Sequence, residues 1–175
     1  MKETFQVIEQ MKRDGVLQDY AVAGAVGAIF YVQPFNTSDV DILVNVTPFD
    51  SVLVSLDPLF AYLRTKGYTR FVEGCLEIAG WPVQFLPTAD ALADEALKKA
   101  QYLSFDDSLN VRVVLPEYLA AEAVKVGRPK DLQRVLLLLE FEEFDRGLFE
   151  EIIEKYGLEE RWQNVKSILG LGLNP

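Results

Sequence analysis

The chain contains no histidine and a single cysteine, Cys75, among its 175 residues. Without histidine it can build neither a Ser-His-Asp triad nor a histidine zinc site. One thiol can form no internal disulfide and no structural zinc cluster, which fits a reducing compartment. A metal held by this chain would therefore take carboxylates, carbonyls and water as ligands, the donor set of a hard ion such as magnesium or manganese. No apolar run reaches the ~18 residues of a membrane-spanning helix. The first residues, MKETFQVIEQMKRDG, mix charge with apolar positions at helical spacing and lack the continuous apolar stretch of a signal peptide. A cytoplasmic protein that engages no membrane is the expectation. Positive charge is also scarce: 17 Lys and Arg against 27 Asp and Glu give a formal net charge of −10. A nucleic acid would be repelled on average, so contact with one requires a local basic patch.

What the chain has is apolar residues, 50% of the total, enough for a sizeable core in one α/β unit carrying a helical lobe. Phe5, Ile8 and Met11 recur at three-residue intervals and Gly15 follows, so residues 3–14 read as a helix. Residues 19–23 are strand-like, Gly24 to Ala28 interrupt them, and Ala28 to Val32 continue as a short helix. Val40 to Val46 (VDILVNV) is the strongest strand signal. Asp57-Pro58 reads as a helix start within residues 50–66. Tyr68–Glu73, Cys75–Ala79 and Val83–Leu86 are further strands, with a hairpin turn at Gly80. Residues 88–101 form a helix capped by Thr88. A strand at Val111–Leu115 precedes helices at 117–126, 130–143, 147–156 and 159–169. The expected fold class is a mixed α/β sheet of four to six strands flanked by helices. The expected domains are residues 1–115, the sheet-bearing core, and 116–175, a helical C-terminal lobe packed on it.

Chemistry concentrates at Asp39 and Asp41. Residues two apart in a strand share a face, so both carboxylates point one way while Val40 and Ile42 point the other. Adjacent carboxylates repel unless a cation or proton sits between them, and a divalent ion can relieve that repulsion while organising a triphosphate. Upstream, Gly24 and the small residues after it let a phosphate approach the backbone at a helix start. Thr37 brings a hydroxyl to the same mouth. Either aspartate has an ordinary alternative as a turn or capping residue, and Gly27 as a helix-packing glycine.

The run YAVAGAVGAIFYVQPFNTSDVDILV resembles the motif of the DNA-polymerase-β-like nucleotidyltransferase superfamily: a glycine-small pair at a helix start, then an acidic pair on the next strand. WPVQFLP, PEYLAAEAVKVGRPKD and the leucine-rich helix after them resemble its bacterial branch related to abortive-infection and toxin–antitoxin nucleotidyltransferases. The resemblance implies that Gly24 and Ala25 hold the triphosphate and that Asp39 and Asp41 bind Mg²⁺ or Mn²⁺. It also implies that Lys125, Arg128, Lys130 and Asp131 form a segment facing the cleft, its cations able to contact phosphates. The superfamily's third carboxylate falls at Gln84, which hydrogen-bonds but takes no proton. Phe35 stands where related toxins carry an arginine, and Ala25 where a glycine or serine is usual. If Gly80-Trp81 is a two-residue turn, Glu77 lies opposite Gln84 and supplies the missing acid; a solvent-facing strand glutamate is the alternative.

Arg134 extends the basic cluster, for which pairing with Glu122 and the acidic stretch from Glu140 to Asp145 is the competing use. Trp81, Trp162, Tyr68 and Tyr118 read as core or lobe-interface aromatics, Cys75 as a small buried group, and Val135–Leu139 as core or an oligomer interface. The reading that follows is a metal-dependent nucleotidyltransferase moving a nucleoside monophosphate from a nucleoside triphosphate to an RNA or protein hydroxyl. The alternative is a catalytically degenerate module that binds a nucleotide or a protein partner in a toxin–antitoxin or defence system.

Overall fold

A computed structural model describes residues 1–33, 36–46 and 55–171; Phe35 and residues 50–54 of the expected helical segment lie outside them. Along the chain, α1 (Lys2–Arg13) leads into β1 (Leu17–Val22), α2 (Gly24–Ala28), β2 (Val40–Val46) and α3 (Asp57–Thr65). A meander of β3 (Phe71–Val72), β4 (Cys75–Ile78) and β5 (Trp81–Pro87) follows, then α4 (Ala91–Lys99), β6 (Gln101–Asp106) and β7 (Leu109–Val113). Four helices complete it: α5 (Pro116–Val126), α6 (Pro129–Leu139), α7 (Arg146–Lys155) and α8 (Glu159–Leu169).

The strands form one mixed sheet in the order β3-β4-β5-β2-β1-β7-β6. β2 sits at its centre, antiparallel to β1 and parallel to β5. A central strand covered on both faces needs apolar residues at nearly every position, which is why VDILVNV is so uniform. On one face Val40, Ile42 and Val44 pack with Phe5, Ile8 and Met11 of α1 and Leu59 and Leu63 of α3. On the other, Leu43 joins a core with Leu92 and Ala96 of α4, Tyr118 and Leu119 of α5, and Val135 and Leu138 of α6. Asp41 shares the Leu43 face, so the C-terminal helices roof the side of the sheet that carries the carboxylates. Trp162 packs edge-on against Phe149 at 5.1 Å, and Tyr118 is buried.

Three expectations need correction. Among the described residues the sheet has seven strands, not four to six: Gln101–Asp106 is an edge strand against β7. The helix after the first strand begins at Gly24 and ends at Ala28, earlier than the sequence suggested. The cap of α4 is Asp90, whose Oδ1 accepts from the Leu92 and Ala93 N–H groups, each at 3.1 Å, and not Thr88. Among the described residues no helix is long and apolar enough to cross a membrane.

Where α5 meets α7, the buried Glu117 accepts from the Asp145 N–H at 2.8 Å. Burial pushes its carboxyl above the ordinary value of 4.5, against the pull of that hydrogen bond. A group whose folded pKa is raised stabilises most below its unfolded pKa and loses that contribution as pH rises through the folded one. Glu117→Gln keeps an oxygen for the N–H and removes the charge. Its stability relative to the parent should therefore grow from pH 4 to pH 7 in denaturant titrations. Glu117→Leu, which orphans the N–H, should cost about 1–3 kcal/mol at either pH.

Candidate functional site

The two aspartates are positioned by local backbone. The Ala23 N–H donates to the Asp41 carbonyl at 2.8 Å, tying the end of β1 to the start of β2. The next residue, Gly24, has φ +57, and a β-carbon built on it would lie 2.8 Å from Asp41 Cγ. Glycine is thus what lets the Asp41 carboxyl rest against this backbone. Gly27 serves packing: a β-carbon there would meet the Val22 carbonyl oxygen at 2.9 Å and Leu119 at 3.3 Å. Just upstream of Asp39, the Thr37 hydroxyl donates to the Asp39 carbonyl at 3.0 Å, bracing the turn that enters β2.

Asp39 and Asp41 line a cavity of 390 Å³ with Ala25 and Thr37, and across it stand Arg128, Lys130 and Arg134. Burial, and then the neighbouring Asp39 charge, raise the Asp41 carboxyl; Arg134, Lys130 and Arg128 pull the other way. α6 presents these cations because Pro129 starts the helix and the buried Asp131 fixes its first turn. Asp131 Oδ2 accepts from Arg128 Nε at 2.7 Å and from the Arg128 backbone N–H at 3.2 Å. One turn on, Arg134 reaches 3.5 Å from Asp131 with only 10% of its side chain exposed. Among the described residues its Nε, fully buried, has no hydrogen-bond partner. Among the described residues Lys130 makes no ion pair.

A second cavity, also 390 Å³, adjoins the first along Asp41, Arg128 and Arg134. It holds Gly24, Gln84 and Lys125. The basic segment is therefore split between chambers. Arg128 and Lys130 face the aspartates, whereas Lys125 is bound to Asp90 at 2.6 Å and to Glu122 at 3.2 Å. Parallel pairing sets Gln84 beside Asp41, on the same face.

Glu77 is not where the hairpin rule put it. The turn is Ala79-Gly80, both with positive φ (+50 and +84), so Glu77 pairs with Pro82 and not with Gln84. Its carboxylate lies on the cleft's face of the sheet but is held by Arg70 at 2.9 and 3.1 Å and lines neither chamber. The residue opposite Gln84 is Cys75, which is half-buried and not the buried group expected; burial and then Asp39 and Asp41 raise its thiol. Arg134 was visible in the sequence only as one more cation. Asn36, Ser38 and Gln133, which also line the first cavity, carried no signal at all.

Among solved structures, an antigenic nucleotidyltransferase-like protein from Paracoccidioides brasiliensis matches this chain with a TM-score of 0.57. The match covers 93% of this chain and 85% of that one at 15% sequence identity. The fold is nucleotidyltransferase-like. No protein-family model and no curated protein matches the sequence. At that identity the nucleotidyltransferase-like likeness extends to the architecture and carries no residue roles.

A divalent ion fits the first chamber in a limited sense. Among the described residues no group of three or more His, Cys, Asp or Glu side chains is arranged to hold a metal by itself. Asp39 and Asp41 are a crowded pair whose repulsion a cation would relieve, and magnesium is commonly bound by one or two carboxylates, with phosphate oxygens and water completing its shell.

Proposed function

We propose that the cleft binds a nucleoside triphosphate with Mg²⁺ or Mn²⁺ and that the protein transfers its nucleotidyl group to a hydroxyl of an RNA or protein acceptor. The observation that carries this reading is the facing of two carboxylates, Asp39 and Asp41, by three cations, Arg128, Lys130 and Arg134, across one cavity. That arrangement matches a ligand that is itself a string of anions with a bound cation. Asp39 and Asp41 would hold the ion, which when bound neutralises phosphate charge. Lys130 and the buried Arg134 donate to phosphate oxygens, and Arg128 does so while anchored by Asp131. Thr37 and Gly24 keep the two carboxylates in register. In this scheme the chain's contribution is positioning and charge neutralisation. Without a carboxylate at Gln84, proton removal from the acceptor is left to water or to the acceptor's own surroundings, so turnover should be slow.

A second reading has a specific observation in its favour. Gln84 occupies the register position beside Asp41 and Glu77 is held by Arg70, which together suit a module that binds nucleotide or a protein partner in a toxin–antitoxin or defence pair without chemistry.

Incubation with each α-labelled nucleoside triphosphate, magnesium or manganese, and total RNA or protein separates the two. Label transfer that disappears in Asp39→Asn/Asp41→Asn supports the enzyme. Nucleotide binding by calorimetry without transfer supports the module, and absence of both binding and transfer defeats each. Lys130→Ala should weaken binding about three- to tenfold, an effect that shrinks as salt rises from 50 to 300 mM, because an exposed cation is screened.

A further inference from the structure

The sheet ends differently on its two sides. At one edge β3 is only two residues long, too short to recruit a further strand. At the other, β6 runs for six residues and pairs only with β7. In an antiparallel pair, alternate residues aim their N–H and C=O groups at the partner and the rest aim away. About half of the β6 backbone groups therefore face outward, and among the described residues none of those from Gln101 to Phe105 bonds another element. Sheets guard such an edge with lysine, proline or a sharply bent strand. Gln101–Phe105 carries no lysine and no proline. Its register shift falls at the far end, between Ser104 and Asp106, and Tyr102 is 51% exposed.

Charge says which strand this edge accepts. Lys98 and Lys99 stand at its beginning and Asp106 and Asp107 at its end, so the strand is cationic at one end and anionic at the other. Both ends are held in place. Arg112 donates through Nη2 to the Lys98 carbonyl at 3.2 Å and through Nε to the Ala100 carbonyl at 3.3 Å, fixing the passage from α4 into β6. Asp106 Oδ1 accepts from the Ser108 N–H at 2.8 Å, fixing the turn that exposes Asp107. Lys98 and Asp106 already have partners in Asp94 and Lys2. Lys99 and Asp107 are exposed, and among the described residues neither forms an ion pair.

A strand of this polarity is complementary to itself when reversed. A two-fold axis perpendicular to the sheet and centred on Leu103 sets the Leu103 side chains of two copies against each other. It places Tyr102 opposite Ser104 and brings Lys99 beside Asp107, each contact occurring twice. Parallel pairing would instead gather lysines with lysines and aspartates with aspartates. We propose that β6 is a homodimer interface, in which the edges of two copies pair antiparallel about Leu103 into one continuous sheet with a Lys99–Asp107 ion pair at each end. Leu103 and Phe105 already pack on the core beneath α1, so the axis extends an existing apolar layer. The interface lies three strands from β2 and uses none of the residues assigned to the cleft.

The test is sedimentation velocity of the full chain from about 1 to about 300 μM at low salt. The 19.8 kDa chain should pass to a dimer with a dissociation constant of about 10–100 μM, the range of a small interface. Lys99→Asp and Asp107→Lys should each weaken association about tenfold, because one substitution creates two like-charge contacts per dimer. The two move the net charge in opposite directions, so a general charge effect cannot weaken both. Lys99→Asp/Asp107→Lys should return to within about threefold of the parent. In hydrogen exchange, the outward amides of Gln101–Phe105 should gain protection as concentration rises. A monomer at every concentration, a dimer indifferent to the charge exchange, or protection gained on another element instead would each overturn the proposal.

Discussion

Asp131→Ala should destabilise the protein by about 3–5 kcal/mol, the usual cost of stripping one partner from a buried ion pair. Asp131 is 1% exposed, and both its oxygens are occupied. One receives Arg128 Nε at 2.7 Å and the Arg128 backbone N–H at 3.2 Å; the other receives Arg128 Nη2 at 3.3 Å, with Arg134 Nη2 at 3.5 Å. Truncation removes an N-terminal hydrogen bond of α6, worth about 1 kcal/mol by itself. It also leaves Arg134 nine-tenths buried with no carboxylate adjacent on its own helix. Arg128 is half exposed and can turn to water, so most of the penalty falls on Arg134. Urea titration should show a lower midpoint with an unchanged slope, the signature of a native-state loss. Asp131→Asn retains one acceptor for the helix start and should lose less. A cost below about 1 kcal/mol for the alanine would mean that water reaches Arg134 freely, and the cationic wall would then be loose rather than preset.

Much of this scaffold could be read from the chain before its coordinates. Val40–Val46 announced a central strand because a strand covered on both sides must be apolar throughout, and Asp39 and Asp41 stood out against that uniformity. The C-terminal helices were legible from apolar spacing to within one residue at each end, except that α6 stops at Leu139, four residues short of the expected 143. The misses have local causes. Gln101–Asp106 is an edge strand, half of whose positions meet solvent, so it lacks a clean alternation and stands unassigned in sequence between the helix ending at 101 and the strand at 111. The β4–β5 register slipped because Ala79 adopts a positive φ that sequence does not advertise for alanine, and that slip created a partner for Gln84 that Glu77 does not provide. The division of the basic segment was equally hidden. Lys125 and Lys130 are five residues apart, yet Gly127 in the left-handed region breaks the helix between them and sends one to each chamber. Arg134 was visible as a cation, but its burial against Asp131 depends on how α6 lies on the sheet, a tertiary fact with no periodic trace. Gly24 is intermediate: the sequence marked it as a place where something approaches the backbone, and the structure shows that the Asp41 carboxyl is what approaches.

Gly24→Ala is the sharper test of the cleft, because it acts on geometry without touching a charge. Its φ of +57 costs a non-glycine residue about 1–2 kcal/mol, and that part says nothing about a site. The specific part is the collision: the new β-carbon would sit 2.8 Å from Asp41 Cγ and 2.9 Å from its Cβ, well inside contact distance. Asp41 lies near the start of a strand paired on both sides, so its backbone cannot retreat and its carboxyl must swing away from Gly24, out of its present position in the cleft. A displacement of about 1 Å in a positioned group is enough to cost about a hundredfold in function, and cation-dependent nucleotide binding should fall by that order. Gly157→Ala supplies the control. It has a similar φ, +64, with nothing within 4 Å of the added carbon, and it lies between α7 and α8, outside both chambers. The two variants should lose comparable stability in thermal melts, while only Gly24→Ala loses nucleotide. If both bind nucleotide as the parent does, Asp41 does not need its present position, and the pairing of Asp39 with Asp41 around a shared cation fails. If both lose it, backbone strain alone accounts for the effect and the contact between Gly24 and Asp41 has no bearing on binding.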